Sequence, residues 1–137
     1  MDITTFKLLH SETIMYYQRI EYDLKLIYAF MRKGNVTNHL EMNETKTLGQ
    51  MINILKELDQ SDGKPLISSD DYNFLSQICE NRNLWAHHAY TDFLYVNDCL
   101  NSKEYKKQCE KLLKDHARVE QASINLEKIR IGYCSTR

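Results

Sequence analysis

Apolar residues recur every three or four positions over most of this chain. Between Thr4 and Lys33, the series Tyr17, Ile20, Leu24, Ile27 and Met31 marks one buried helical face, and Gln18, Arg19, Asp23 and Lys25 fill the opposite side. Arg32 and Lys33 fall in the last turn, where cations complement the negative end of the helix dipole. Gly34 follows as a stop, since glycine enters the left-handed conformation without strain. Ser11 offers an early interruption that would leave the first ten residues as a separate turn. Residues 34–43 read as a polar connector, and Asn43 as the N-cap of a second helix. That helix carries the stripe Leu48, Met51, Ile52, Leu55 and Leu58 and ends near Asp59. Gly49 costs it about 1 kcal/mol relative to alanine, which suggests close helix packing.

Asp62-Gly63-Lys64-Pro65 is the clearest turn, and Leu66 and Ile67 tuck back onto the core after it. Ser68 or Ser69 caps a third helix, with Asp70 and Asp71 in its first turn. This helix is predicted to run to about Tyr90, with a core stripe of Leu75, Ile78, Cys79, Trp85 and Ala86. From Thr91 to Leu100 the pattern weakens, and Asn97-Asp98 reads as a break. Asn101 or Ser102 begins a long last helix, with Glu104 placed three residues after Asn101 as in a capping box. Tyr105, Cys109, Leu112, Leu113, Val119, Leu126 and Ile129 form its apolar face. His116 shares that face and reads as a hydrogen-bonded boundary histidine rather than a ligand. Gly132 is the expected stop, leaving the last five residues loose. The sum is an all-α, single-domain, up-and-down bundle over residues 1–137, with four main helices and room for a short fifth.

Composition narrows this picture. At 42% hydrophobic and 27% charged residues, the chain is an ordinary globular one that can bury a core without metal or disulfide staples. One proline and four glycines argue against an all-β fold or a long linker. A net charge of −1 does not suggest a broad nucleic-acid surface, but it leaves room for a small RNA site or one assembled between subunits. The longest apolar runs, such as Phe93-Leu94-Tyr95-Val96, fall far short of the roughly 20 residues that span a bilayer. No signal-peptide pattern opens the sequence, so the expectation is a cytoplasmic protein without membrane association. Cys79, Cys99, Cys109 and Cys134 form no C-x-x-C pair and no zinc-ligand spacing. They read as reduced thiols, in preference to a metal set with His39 or His116, and no metal or cofactor is expected.

The chemistry concentrates in Glu80-Asn81-Arg82-Asn83-Leu84-Trp85-Ala86-His87-His88-Ala89-Tyr90, which holds the one tryptophan and two of the five histidines. Arg82 falls in the middle of the predicted core stripe, where an unpaired guanidinium is costly. Either it pairs with an acid on the first helix, Glu21 or Asp23, or its face opens into a cleft or a subunit interface. Asn83 and His87, four apart, share a helix face. Arg82 and His87 stand about 140° apart around a straight helix. A bend after Trp85, or a second copy related by two-fold symmetry, would bring them to one substrate. Arginine neutralises a phosphate through its planar fork, and histidine transfers protons near neutral pH. In RNA the 2′-hydroxyl itself attacks the phosphate, so such a site needs charge stabilisation and proton transfer and no metal. Trp85 itself reads as packing in the core or at an interface, and Tyr90 as packing with a bonded hydroxyl.

Arg82-Asn83-Leu84-Trp85-Ala86-His87 resembles the signature of the HEPN superfamily: an arginine, often followed by asparagine, then four to six residues and a histidine. The chain length and the long first and last helices resemble that family's bundle as well. The resemblance implies a homodimer with facing motifs and metal-independent cleavage of an RNA substrate, as in toxin–antitoxin and phage-defence systems. It implies that Arg82 binds and polarises the scissile phosphate, that His87 serves proton transfer or stabilises the transition state, and that Asn83 orients one of them or contacts the RNA backbone. His88 also satisfies the spacing. His88-Ala89-Tyr90 matches the His-x-Tyr extension of toxins paired with a nucleotidyltransferase antitoxin, which would make Tyr90 a site of antitoxin control. His87 is favoured as catalytic, because Arg-Asn-x-x-x-His is the commoner form. The rival readings are a non-catalytic HEPN-like helical module that binds a partner protein or a nucleotide, and a purely structural helical dimer.

Overall fold

A computed structural model describes residues 1–135. It is all-α, with no strand among the described residues. The elements are α1 (Ile3–Met31), α2 (Val36–Asn43), α3 (Leu48–Gln60), α4 (Ser69–Cys79), α5 (Arg82–His87), α6 (Thr91–Leu94) and α7 (Lys103–Cys134), with a 3-10 turn over Cys99–Asn101 before α7. Three short helices thus join the four long ones, where at most one was expected.

At about 1.5 Å per residue, α1 and α7 are roughly 43 and 48 Å long, more than twice the length of α3 or α4. They run parallel. The Tyr105 hydroxyl donates to the Met1 carbonyl at one end, and along the pair Glu12 meets His116, Arg19 meets Glu127 and Asp23 meets Arg130. α2, α3 and α4 alternate in direction, so α3 runs the same way as α1 and α7, and the four long helices do not take the expected up-and-down order. α2 returns along α1, where the Lys25 ammonium donates to the Glu44 carbonyl. α3 and α4 are antiparallel, with Gly49 beside Cys79 at one end and Asp59 bonded to Tyr72 at the other. α4 descends against α7, and Arg118 donates to Gln77. α5 and α6 continue the descent past the first turns of α1. The four long helices therefore enclose one core over the upper half, and α5, α6 and the 3-10 turn cover the lower half.

Several local expectations are corrected. Ser11 does not interrupt α1, which is helical from Ile3 and capped by Asp2 through the Thr5 amide. The segment 34–43 is not a plain connector but contains α2, capped by Asn35. Asn43 is not a cap: it is buried in the last turn of α2, where its amide donates to the His39 carbonyl. The α3 cap is Thr47, in a full capping box with Gln50. Gly49 is not forced by tight packing, because an added Cβ would meet only Cys79 Sγ at 3.6 Å, ordinary contact. Ser102 caps α7 through the Tyr105 amide, which puts Glu104 one position too early for a capping box with it. Gly132 does not end α7, which continues through Cys134. Tyr133 and Cys134 are therefore helical rather than loose, and residues 136–137 of that tail lie outside the described residues. Leu113 stands 51% exposed on the outer side of α7 rather than in the core.

The loop after α3 shows how buried backbone is satisfied. Gly63 takes a positive φ of 79° in the turn, and Asp59 then accepts from the amides of Leu66 and Ile67 and from the Tyr72 hydroxyl. This carboxylate holds Ile67 in the core and ties the end of α3 to α4. Burial, then the bond to Asp59, pushes the Tyr72 hydroxyl far above its ordinary pKa.

Candidate active site

The predicted third helix does not run through Arg82. It ends at Cys79, and a new six-residue helix begins at Arg82 itself. The cause lies on α1. The Tyr17 hydroxyl donates to the Ile78 carbonyl at 2.7 Å, and the Asn81 amide takes the same carbonyl in a tight three-residue step. An unbroken helix would have given that acceptor to the Arg82 amide. Burial lifts the Tyr17 hydroxyl well above its ordinary pKa, with Asp115 adding to the effect, so it stays a neutral donor at the break. The bend thus comes before Arg82 rather than after Trp85. A second ending follows at His88, whose amide bonds to the Leu84 carbonyl at 2.7 Å.

Trp85 anchors this short helix. Its side chain is fully buried, and its indole Nε1 donates to Asp115 Oδ2 at 2.8 Å. Asp115 is itself 4% exposed, so the pair joins α5 to the middle of α7 inside the core. From α1, His10 holds the same helix. Its Nε2 lies 2.6 Å from the Trp85 carbonyl oxygen, which can only accept, so Nε2 carries the proton. In the neutral ring Nδ1 is then the acceptor for the Tyr90 hydroxyl at 3.3 Å. Tyr90 packs edge-on against Phe6 and His10, and burial raises its hydroxyl pKa. Gln108 completes the clamp by donating to the Ala89 carbonyl at 3.1 Å.

The five singled-out residues separate on this frame. Arg82 is half-buried at the first position of α5. It makes no ion pair with Glu21 or Asp23: Asp23 pairs with Arg130 at 2.7 Å, and among the described residues no carboxylate lies within ion-pair distance of Arg82. Nor does the helix dipole favour a cation at this end. Its charge acts instead on Cys79, which burial raises and Arg82 partly lowers. Asn83 and His87 share a face one turn apart, and both are exposed. His88 is the exposed C-cap, with its ring 6.5 Å from that of His87. Tyr90 turns away to His10. Within one chain, Arg82 and His87 remain about 140° apart on α5. Ala86, expected on the core stripe, is exposed, because the new helix restarts the register.

Two residues that sequence reasoning passed over, His10 and Asp115, hold the segment in place. His10 had a signal, since it continues the buried α1 series Phe6, His10, Thr13, Tyr17 and Ile20 at three- and four-residue steps. Asp115 had a fainter one, an acid inside the apolar face of the last helix. His116 bonds to Glu12 at 2.8 Å and meets Tyr16 edge-on, a boundary histidine as expected. Among the described residues no three His, Cys, Asp or Glu side chains gather as a metal site, and no helix is long and apolar enough to cross a membrane. In comparisons with protein-family models, curated proteins and solved structures, nothing matches the chain.

Proposed function

We propose that this chain is a metal-independent endoribonuclease of the HEPN type, a toxin or phage-defence effector that cuts RNA at a site shared by two copies. The observation that carries this is Arg82: a half-buried guanidinium with no carboxylate partner among the described residues, on a clamped helix that also exposes Asn83 and His87. A cation held without a partner is stabilised by an anionic ligand, and phosphate suits its planar fork. Arg82 and His87 diverge on one helix, so a two-fold related copy supplies the complementary half of the site.

In the proposed reaction the RNA 2′-hydroxyl attacks the adjacent phosphorus and the bond to the 5′-oxygen breaks. The products are a 2′,3′-cyclic phosphate and a 5′-hydroxyl. One histidine accepts the 2′-hydroxyl proton, and the copy on the second chain supplies a proton to the leaving oxygen. Arg82 stabilises the charge that develops on the phosphoryl oxygens. Asn83 orients His87 one turn away, and Tyr90, on the far side of the segment, is the residue through which a nucleotidyltransferase antitoxin would act.

The test is purified protein on total RNA in EDTA, comparing wild type with Arg82→Ala, His87→Ala and His88→Ala. Cleavage leaving cyclic phosphate ends, lost in the first two variants and kept in the third, is the expected result. Cleavage that survives both Arg82→Ala and His87→Ala refutes the site, and loss only in His88→Ala moves the catalytic histidine by one position. A folded dimer with no activity on any RNA leaves the rival, a partner-binding helical module.

A further inference from the structure

The chain is almost neutral, yet one face of α7 is not. Lys107, Lys111, Lys114 and Arg118 follow one another at steps of four, three and four residues. They fall within about 60° of arc and span roughly 16 Å of helix. The three lysines are exposed, and Arg118 is half-buried. Among the described residues none of the four has a carboxylate within ion-pair distance. The acids of α7 are placed elsewhere. Glu120 and Glu127 turn to the α1 seam, Asp115 is buried against Trp85, and Glu104 and Glu110 lie off to either side of the row.

This row has an address in the fold. The neighbouring row of α7 carries Gln108 and Asp115, the residues that fasten Ala89 and Trp85. The basic row therefore runs alongside the helix that exposes Asn83 and His87. At its upper end Arg118 is fixed, with Nη2 3.0 Å from Gln77 Oε1 and its guanidinium 5.4 Å over the Phe74 ring. Gln77 lies in the last turn of α4, five residues before Arg82, so this end of the row stands beside the α4–α5 break.

We infer that Lys107, Lys111, Lys114 and Arg118 form a track for the sugar–phosphate backbone of single-stranded RNA, leading it to Arg82. A linear run of unpaired cations matches a linear run of phosphates, and the row contains no base-reading pattern, so binding along it is sequence-tolerant. A membrane-surface helix would instead border its cations with large apolar side chains. Within the length of the row, the exposed large apolar residue of α7, Leu113, lies about 100° or more away around the helix. The track rests on the ribonuclease reading for its destination at Arg82, but it is tested by binding alone.

The probe is a fluorescein-labelled, mixed-sequence, 20-nucleotide single strand with 2′-O-methyl groups, which cannot be cleaved through the 2′-oxygen. Anisotropy titrations from low to moderate salt compare wild type, Lys107→Gln/Lys111→Gln/Lys114→Gln, and a control triple on other faces, Lys25→Gln/Lys56→Gln/Lys64→Gln. Single-strand contacts contribute a slope of about −0.7 each in log affinity against log salt. The track triple should flatten the slope by about 2 and weaken binding about 100-fold at 0.1 M salt, with its melting temperature unchanged. The control triple should keep the wild-type slope. Equal losses in both triples, or an unchanged slope in the first, overturns the track. So does stripe-dependent binding to phosphatidylserine-containing vesicles with RNA affinity unaltered. If EDTA-resistant cleavage is lost in Arg82→Ala while the track triple binds and cleaves as wild type, the track alone fails. If no cleavage occurs but the slope changes as stated, the nuclease reading alone fails.

Discussion

Replacing Trp85 with phenylalanine tests the clamp that holds α5. The change removes the indole donor 2.8 Å from Asp115 Oδ2 and leaves a buried carboxylate without that partner. Hydrogen bonds to charged groups are worth about 1.5–3 kcal/mol. The smaller ring also leaves a void in a site where Trp85 is fully enclosed, adding on the order of 1–2 kcal/mol. The expected loss is about 3–5 kcal/mol, or on the order of 10–15 °C in melting temperature for a chain of this size. Urea unfolding followed by circular dichroism at neutral pH measures it, since the one tryptophan is gone from the variant. The Asp115→Leu background isolates the pair. There the same Trp85→Phe change should cost only the void, a coupling of about 1.5–3 kcal/mol. A loss below 1 kcal/mol in the single variant, or no coupling in the cycle, would refute the clamp.

Other consequences follow from individual residues. His10→Ala removes the contacts to the Trp85 carbonyl and the Tyr90 hydroxyl, and should cost about 1–2 kcal/mol and speed amide exchange over residues 85–90; unchanged exchange there would show that His10 is not a support. Asp23 is pushed above the ordinary carboxylate range by burial, against the pull of Arg130. Its folded form therefore holds a proton more tightly than the unfolded chain does, a contribution to stability that is full below the unfolded pKa and lost as pH rises through the folded one. Asp23→Asn should abolish that part of the pH dependence, read by urea titrations between pH 3.5 and 7; parallel curves for the two proteins would contradict it. Gly49→Ala meets only ordinary contact and gains helix propensity, so it should raise stability by about 1 kcal/mol in thermal unfolding, and a fall of that size would mean that the Cys79 contact cannot relax.

Much of the frame was legible because helices report themselves locally. The α3 stripe, the turn around Gly63, the Ser68 cap and the acids that follow it each depend on residues within a few positions, and each is where the pattern put it. The failures have the same origin reversed. α2 is short and polar outside, so its eight residues carry little periodicity, and only packing against α1 shows it to be a helix. The C-terminal end of α7 was missed because a solvated helix end tolerates Gly132; its start was read as Asn101 or Ser102, and Ser102 is the cap.

The candidate site shows the division most sharply. By itself the sequence determined which residues are available: an arginine, an asparagine and two histidines within one turn or two, beside a single tryptophan. Only the tertiary structure decided where they point. The break before Arg82 is made by Tyr17, 61 positions away from Ile78. The clamp on Trp85 comes from His10, 75 positions before it, and Asp115, 30 after it. A hydroxyl, a ring nitrogen and a carboxylate on two parallel helices thus override the local preference for one continuous helix. Such contacts leave no period in the sequence, because their spacing is set by how α1 and α7 lie side by side and not by the turn of any single helix.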